Sequence, residues 1–185
     1  MITRKTFLKR FFRGIEGRTR TIYQHEKMKK ILIALDYDPS AQKVAETGFS
    51  FAKTMKSAIT LMHVLVNPQD YKLTEPIKVM GFAGHLDTSK VMQEETFNPE
   101  KVGIQFLDKS KLYLGDNSIE TLIKEGDCAE TILKEATRIS ADIIVMGSHS
   151  RKWFENTTMG SVTEKVLQNT TIPVLIIPTK KQSKS

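Results

Sequence analysis

A chain of 185 residues, 39% hydrophobic and 26% charged, has the size and balance of one globular domain, and no run approaches the roughly 18 apolar residues needed to span a bilayer. The single cysteine, Cys128, excludes an internal disulfide and any cysteine-based zinc cluster, so a reducing cytoplasm is the expected compartment. The net charge of +7 sits at the ends: residues 1–30 hold ten Lys and Arg against Glu16 and Glu26, residues 180–185 hold three lysines, and the stretch between is mildly acidic, which argues against a nucleic-acid partner.

Residues 1–27 read as a basic N-terminal extension, 28–179 as the α/β domain, and 180–185 as a polar tail. In the extension, Phe7, Leu8, Phe11, Phe12 and Ile15 recur at helical spacing, with Arg4, Lys5, Lys9, Arg10 and Arg13 between them. That is the pattern of a short basic amphipathic helix, able to lie on an anionic membrane surface or dock on a partner. A disordered or loosely packed extension accounts for the same residues, and the sequence alone favours it over membrane-surface contact by residues 4–15. Charges interrupt every apolar run, so the segment is not a secretory signal.

The unbroken apolar run ending at Leu35 and Asp36 predicts a first strand over 30–36, buried on both faces. Asp38-Pro39-Ser40 supplies turn and cap chemistry for a helix reaching about Lys56, with Val44, Ala45, Phe49, Ala52 and Met55 inward. A second strand is predicted over 59–66; His63 within it reads as a core histidine, because the four histidines show no metal-ligand spacing. Residues 67–98 are broken by Pro68, Pro76, Gly81 and Gly84, with a helical turn or two possible over 88–97. Asn98-Pro99-Glu100 reads as the cap of a helix ending near Gly115, burying Val102, Phe106 and Tyr113. A third strand is expected over 119–124, and a helix over 129–139 burying Ile132, Leu133, Ala136 and Ile139. Cys128 stands at that helix start and reads as a packing residue.

A fourth strand, Ile143 to Met146, ends in Gly147; a polar loop then leads to Gly160-Ser161 and a helix to Asn169 with Val162, Val166 and Leu167 on one face. Strand, polar turn and helix start present unpaired N–H groups and the positive end of a helix dipole to an anion. Gly147 can take backbone angles closed to other residues, and Gly160 leaves the helix mouth clear. Ser161 adds a hydroxyl donor or caps the helix. Ordinary turn and cap roles explain the same residues, and neither a P-loop nor a dinucleotide fingerprint occurs. Ile172 to Pro178 closes the sheet as an edge strand, where proline at both ends costs least. Strands alternating with helices give a parallel sheet covered on both faces, with ligands bound beyond the strand C-termini.

Met146-Gly-Ser-His-Ser150, followed after nine residues by Gly160-Ser-Val-Thr-Glu164, resembles the signature of the universal stress protein family. Lys30-Ile-Leu-Ile-Ala-Leu-Asp36, Ile59-Thr-Leu-Met-His-Val64 and Ile172-Pro-Val-Leu-Ile-Ile177 extend the resemblance over residues 28 to 179. It implies a single doubly wound, five-stranded parallel sheet of order 3-2-1-4-5, of the adenine-nucleotide alpha-hydrolase-like kind. It implies a dimeric, ATP-binding stress-response protein, with magnesium accompanying the nucleotide. Asp36 and Val64 would take ribose and adenine; backbone N–H groups of Gly147 and of the turn to Ser150, with Gly160 and Ser161, would hold the phosphates, and Met146 and Val162 would also line the nucleotide site. The resemblance also implies a homodimer through the strand Ile172–Ile177.

The sequence departs from the signature at Ser150, which stands where the family carries a second glycine. Its Cβ could crowd the phosphates, or its hydroxyl could donate to them. The alternative function is therefore a member that binds no nucleotide and works through its dimer surface or N-terminal extension. Strong catalysis is not expected: only His149 and Glu155 could serve a slow ATPase, and neither has an identifiable partner.

Overall fold

The computed structural model describes residues 30–66, 78–79, 86–87, 98–148 and 159–179. Five strands, β1 (Lys30–Ala34), β2 (Ala58–Leu65), β5 (Glu120–Glu125), β6 (Ile143–Gly147) and β7 (Val174–Ile177), form one sheet in the order β5-β2-β1-β6-β7. All four pairings are parallel. Counting these five strands along the chain, the order is the expected 3-2-1-4-5. The register places Ile31 beside Ile59 on one side and Ile143 on the other, which makes β1 the centre of the sheet.

Alternation along the strands divides the core in two. Ile31 and Ile33 point to one face, where they meet Val44 and Ala45 of helix α1 (Ala41–Thr54) and Phe106 and Leu107 of α2 (Pro99–Leu114). Leu32 points to the other, against Ile132 and Ala136 of α3 (Cys128–Arg138) and Val166 of α4 (Ser161–Asn169). Burying each such aliphatic side chain stabilises the fold by about 1.5–3 kcal/mol. α1 approaches the sheet so closely that a Cβ at Gly48 would sit 2.8 Å from Ile33 Cδ1 and 3.1 Å from Val145 Cγ1.

Caps mark the helix ends. Asn98 accepts the Lys101 N–H and proline follows it, while Gly115 at φ 68 ends α2 in the left-handed region that glycine tolerates. Asp127 accepts the N–H groups of Ala129 and Glu130 at the start of α3. The Glu130 N–H holds its carboxyl below the ordinary aspartate value, helped by Lys165 at 3.6 Å. Ser40 occupies the cap position of α1, but its side chain makes no cap bond; the Asp38 carboxylate instead accepts the Ser40 N–H at 2.8 Å.

Two expectations are corrected. Tyr113 is 39% exposed rather than buried, because its hydroxyl donates to Glu46 at 2.5 Å and so holds the ring at the surface. Leu167 is 40% exposed: Thr163 and Val166, three apart, meet the sheet, and the next residue is turned about 100° away. Between β2 and α2 lies an antiparallel pair that the sequence did not suggest, β3 (Lys78–Val79) with β4 (Leu86–Asp87). The helical turn anticipated over 88–97 lies outside the described residues, as do the extension 1–27 and the tail 180–185.

Candidate functional site

Because every strand of the main sheet is parallel, all five C-terminal ends open at the same edge. The two strands flanking β1 continue into different faces of the fold, β2 toward α2 and β6 toward α4, so a crevice opens where the windings diverge. A cavity of about 180 Å³ occupies it. Asp36, Val64, Met146, Gly147, Gly160 and Val162 all line that cavity, from four separate segments of the chain. Of the remaining expected residues, Ser161 is exposed and is not among the lining residues, and Ser150 lies outside the described residues.

The walls are held by short polar links. Thr163 donates its hydroxyl to the Gly147 carbonyl at 3.0 Å, and the Gly160 N–H donates to the Ser148 carbonyl at 2.9 Å. Together they clamp the start of α4 onto the end of β6. Ser148 in turn donates its N–H to Ile177 at 2.9 Å, tying the same corner to β7. Asp36 lies two residues beyond the end of β1 and accepts the Asp38 N–H at 3.1 Å, so its turn role is real, and it lines the cavity as well.

Two details differ from the sequence reading. The cap of α4 is Gly160, with φ −74 and ψ 148, and among the described residues no side chain caps the helix. Ser161 is therefore the first helical residue rather than the cap. Nor does the motif use glycine's special angles: Gly147 is the last residue of β6, and the positive-φ glycines among the described residues are Gly115 and Gly126. What Gly160 contributes is space. With glycine as cap, no described side chain caps the first-turn N–H groups of α4 at the cavity edge, the arrangement that attracts an anion.

Residues that the sequence reading did not place at the site also line the cavity, among them Tyr37, His63, Cys128, Ile132 and Thr163. His63 is 3% exposed and donates from Nδ1 to the Leu35 carbonyl at 2.8 Å; since a carbonyl only accepts, Nδ1 carries the proton. Its ring lies 4.1 Å from that of Tyr37, and Phe106 packs edge-on against both, at 5.2 Å and 5.6 Å. Tyr37 and His63 thus line the cavity, with Phe106 packed behind them. Tyr37 could have been found from its place beside Asp36, and Thr163 from its place in the first turn of α4. Cys128 is half-buried, and burial followed by the nearby Asp127 and Asp36 charges pushes its thiol up, so it is protonated and a poor nucleophile. Among the described residues no cluster of His, Cys, Asp or Glu could hold a metal ion, and no helix is long and apolar enough to cross a membrane.

Comparison with known proteins gives a consistent result. Residues 27–178 match the Universal stress protein family. The Stress response protein NhaX of Bacillus subtilis is 30% identical over 162 residues, covering 80% of this chain and 96% of that protein. The solved structure of MJ0577, a universal stress protein of Methanocaldococcus jannaschii, superposes with a TM-score of 0.64 at 24% identity, covering 85% of this chain and 99% of that one. A universal stress protein crystallised in complex with cAMP superposes with a TM-score of 0.55 at 15% identity, covering 83% and 99%.

Proposed function

This chain belongs to the universal stress protein family, and on that premise we propose that its crevice binds an adenine nucleotide, ATP with magnesium, as the sensing element of a dimeric cytoplasmic stress-response protein. The observation that carries this reading is the convergence of Asp36, Val64, Met146, Gly147, Gly160 and Val162 on one cavity beside an uncapped helix start. The enclosed volume of about 180 Å³ falls below the range of about 300–1,000 Å³ typical of whole-ligand pockets, which suits a base and sugar with phosphates extending outward. Val64, Met146, Ile132 and Val162 supply apolar surface for the base. Asp36 would accept from ribose hydroxyls. The N–H groups at the start of α4, including that of Ser161, with the backbone N–H groups of Gly147 and of the turn to Ser150, would hold the phosphates, and magnesium would be carried by the phosphates. That a related protein was crystallised with cAMP supports the adenine-nucleotide class.

Titration of the full chain with ATP by calorimetry tests the reading. One ATP per chain is expected, and Ser150→Gly should leave affinity unchanged or tighten it. Binding that emerges only in Ser150→Gly would overturn the nucleotide reading and favour the alternative member that acts through its surfaces.

The dimer rests on β7, an edge strand of four apolar residues. The Pro173 and Ile177 carbonyls accept from Ile144 of β6 and from Ser148 just beyond it, so by strand alternation the polar groups of Val174 and Ile176 face outward. A second copy of β7 would pair there. Ile176→Pro removes one outward N–H and none of the bonds to β6. It is expected to convert a dimer to a monomer by light scattering, while a wild-type monomer would sink the proposal.

A further inference from the structure

Helix α4 meets the sheet through Thr163 and Val166, which are 3% and 0% exposed. Val166 sits in an apolar cluster with Leu32, Ile144 and Met146. Packing of that kind is non-directional: it presses the helix onto the sheet but resists sliding and rolling only weakly. Thr163 differs, because its hydroxyl donates to the Gly147 carbonyl at 3.0 Å, a partner 16 residues back along the chain. Among the described residues this is the one side-chain hydrogen bond from α4 to the sheet. Gln168 bonds Glu164 and Asn169 bonds the Lys165 carbonyl, both within the helix, and the Lys165–Asp127 pair at 3.6 Å lies at the surface. A hydrogen bond is directional and weakens steeply away from its optimum, so this hydroxyl sets how far α4 stands along the strand axis and how it is turned.

What the bond positions is the first turn of α4. The first intrahelical bond runs from the Glu164 N–H to the Gly160 carbonyl, and the Gly160 N–H is already given to Ser148. Among the described residues nothing accepts from the N–H groups of Ser161, Val162 and Thr163, so these are the donors left at the cavity edge. Thr163 belongs to that set by its backbone and holds the set in place by its side chain. The Gly147 that receives the hydroxyl lines the same cavity, so the bond ties the donors to the strand end beside which a phosphate would lie. We propose, resting on the nucleotide reading above, that the Thr163 side chain is the positioning residue for the phosphate end of the ligand and has no part in holding base or sugar. A displacement of about 0.5 Å is enough to carry a donor out of the roughly 2.7–3.2 Å range of a good hydrogen bond, which is why one hydroxyl behind the donors matters to them.

Calorimetric titration of the full chain with ATP and with adenosine tests this, because the two ligands share base and sugar and differ in the phosphates. Thr163→Val keeps the branched shape and removes the donor. It should weaken ATP by at least about tenfold and adenosine by less than about threefold. Thr163→Ser loses a methyl group but keeps the hydroxyl, and should hold the ratio of the two affinities within about threefold of the wild type. A general loosening of the fold would lower both affinities together and leave that ratio unmoved. Should the valine variant not fold, Thr163→Ala against Thr163→Ser makes the same comparison. A ratio unchanged in Thr163→Val, or lowered as far in Thr163→Ser, would overturn the role assigned to Thr163 while leaving the nucleotide reading intact. A wild-type chain that binds adenosine as tightly as ATP would overturn that role too, since there would be no phosphate contacts to position. A wild-type chain that binds neither would overturn both.

Discussion

Replacing Phe106 by alanine is expected to lower the free energy of unfolding by about 3–5 kcal/mol. Phe106 is 1% exposed and is the largest of the fully buried side chains among the described residues. It stands on α2 and packs edge-on against Tyr37 and His63, so it joins the helix layer to the crevice lining. Alanine would leave a cavity that neighbours on two strand ends and a helix cannot collapse to fill. Domains of this size are stable by about 5–15 kcal/mol, so the loss would consume a large part of the total. Urea unfolding followed by circular dichroism measures it. A change below about 1 kcal/mol would show that the ring is not the keystone described. Because Tyr37 and His63 line the cavity, a weaker ligand response should accompany the lost stability.

Gly160→Trp should act in the opposite way, abolishing nucleotide binding while sparing the fold. The φ of −74 and ψ of 148 at Gly160 are open to any residue, and the position is a helix cap at the cavity wall rather than a core site. Thermal unfolding should therefore move little, since replacing a Gly cap by a non-capping residue costs on the order of 1 kcal/mol. An indole placed at the mouth of a cavity of about 180 Å³ would occupy the space proposed for the phosphates. A loss of at least a hundredfold in ATP affinity is expected by calorimetry, about 2.7 kcal/mol. Gly160→Ala is the graded control, with a loss of less than tenfold. Wild-type affinity in the tryptophan variant would place the nucleotide elsewhere or nowhere in this crevice.

Much of the architecture was legible before any coordinates. The apolar runs at Ile31–Ile33 and Ile143–Met146 signalled strands buried on both faces, since only a sheet covered by helices above and below removes that many consecutive side chains from water. Asn98 and Gly115 bracketed α2 because capping and left-handed angles are local properties. Tyr113 and Leu167 were misread for the complementary reason. Periodicity marks an apolar face but does not say how wide a strip the neighbour covers, and a tyrosine with a nearby carboxylate gains more at the surface. The short β3–β4 pair escaped because two-residue strands carry no periodicity.

The order of residues by itself determined the helix and strand succession, the sheet class, the charge imbalance between the extension and the body, and the family signature. Each depends on spacing along the chain, which local propensity and burial can read. Tertiary structure alone decided that Tyr37, His63, Cys128 and Thr163 share a cavity with Asp36 and Gly160. The physical reason is the parallel topology: it carries groups far apart in sequence to one strand edge.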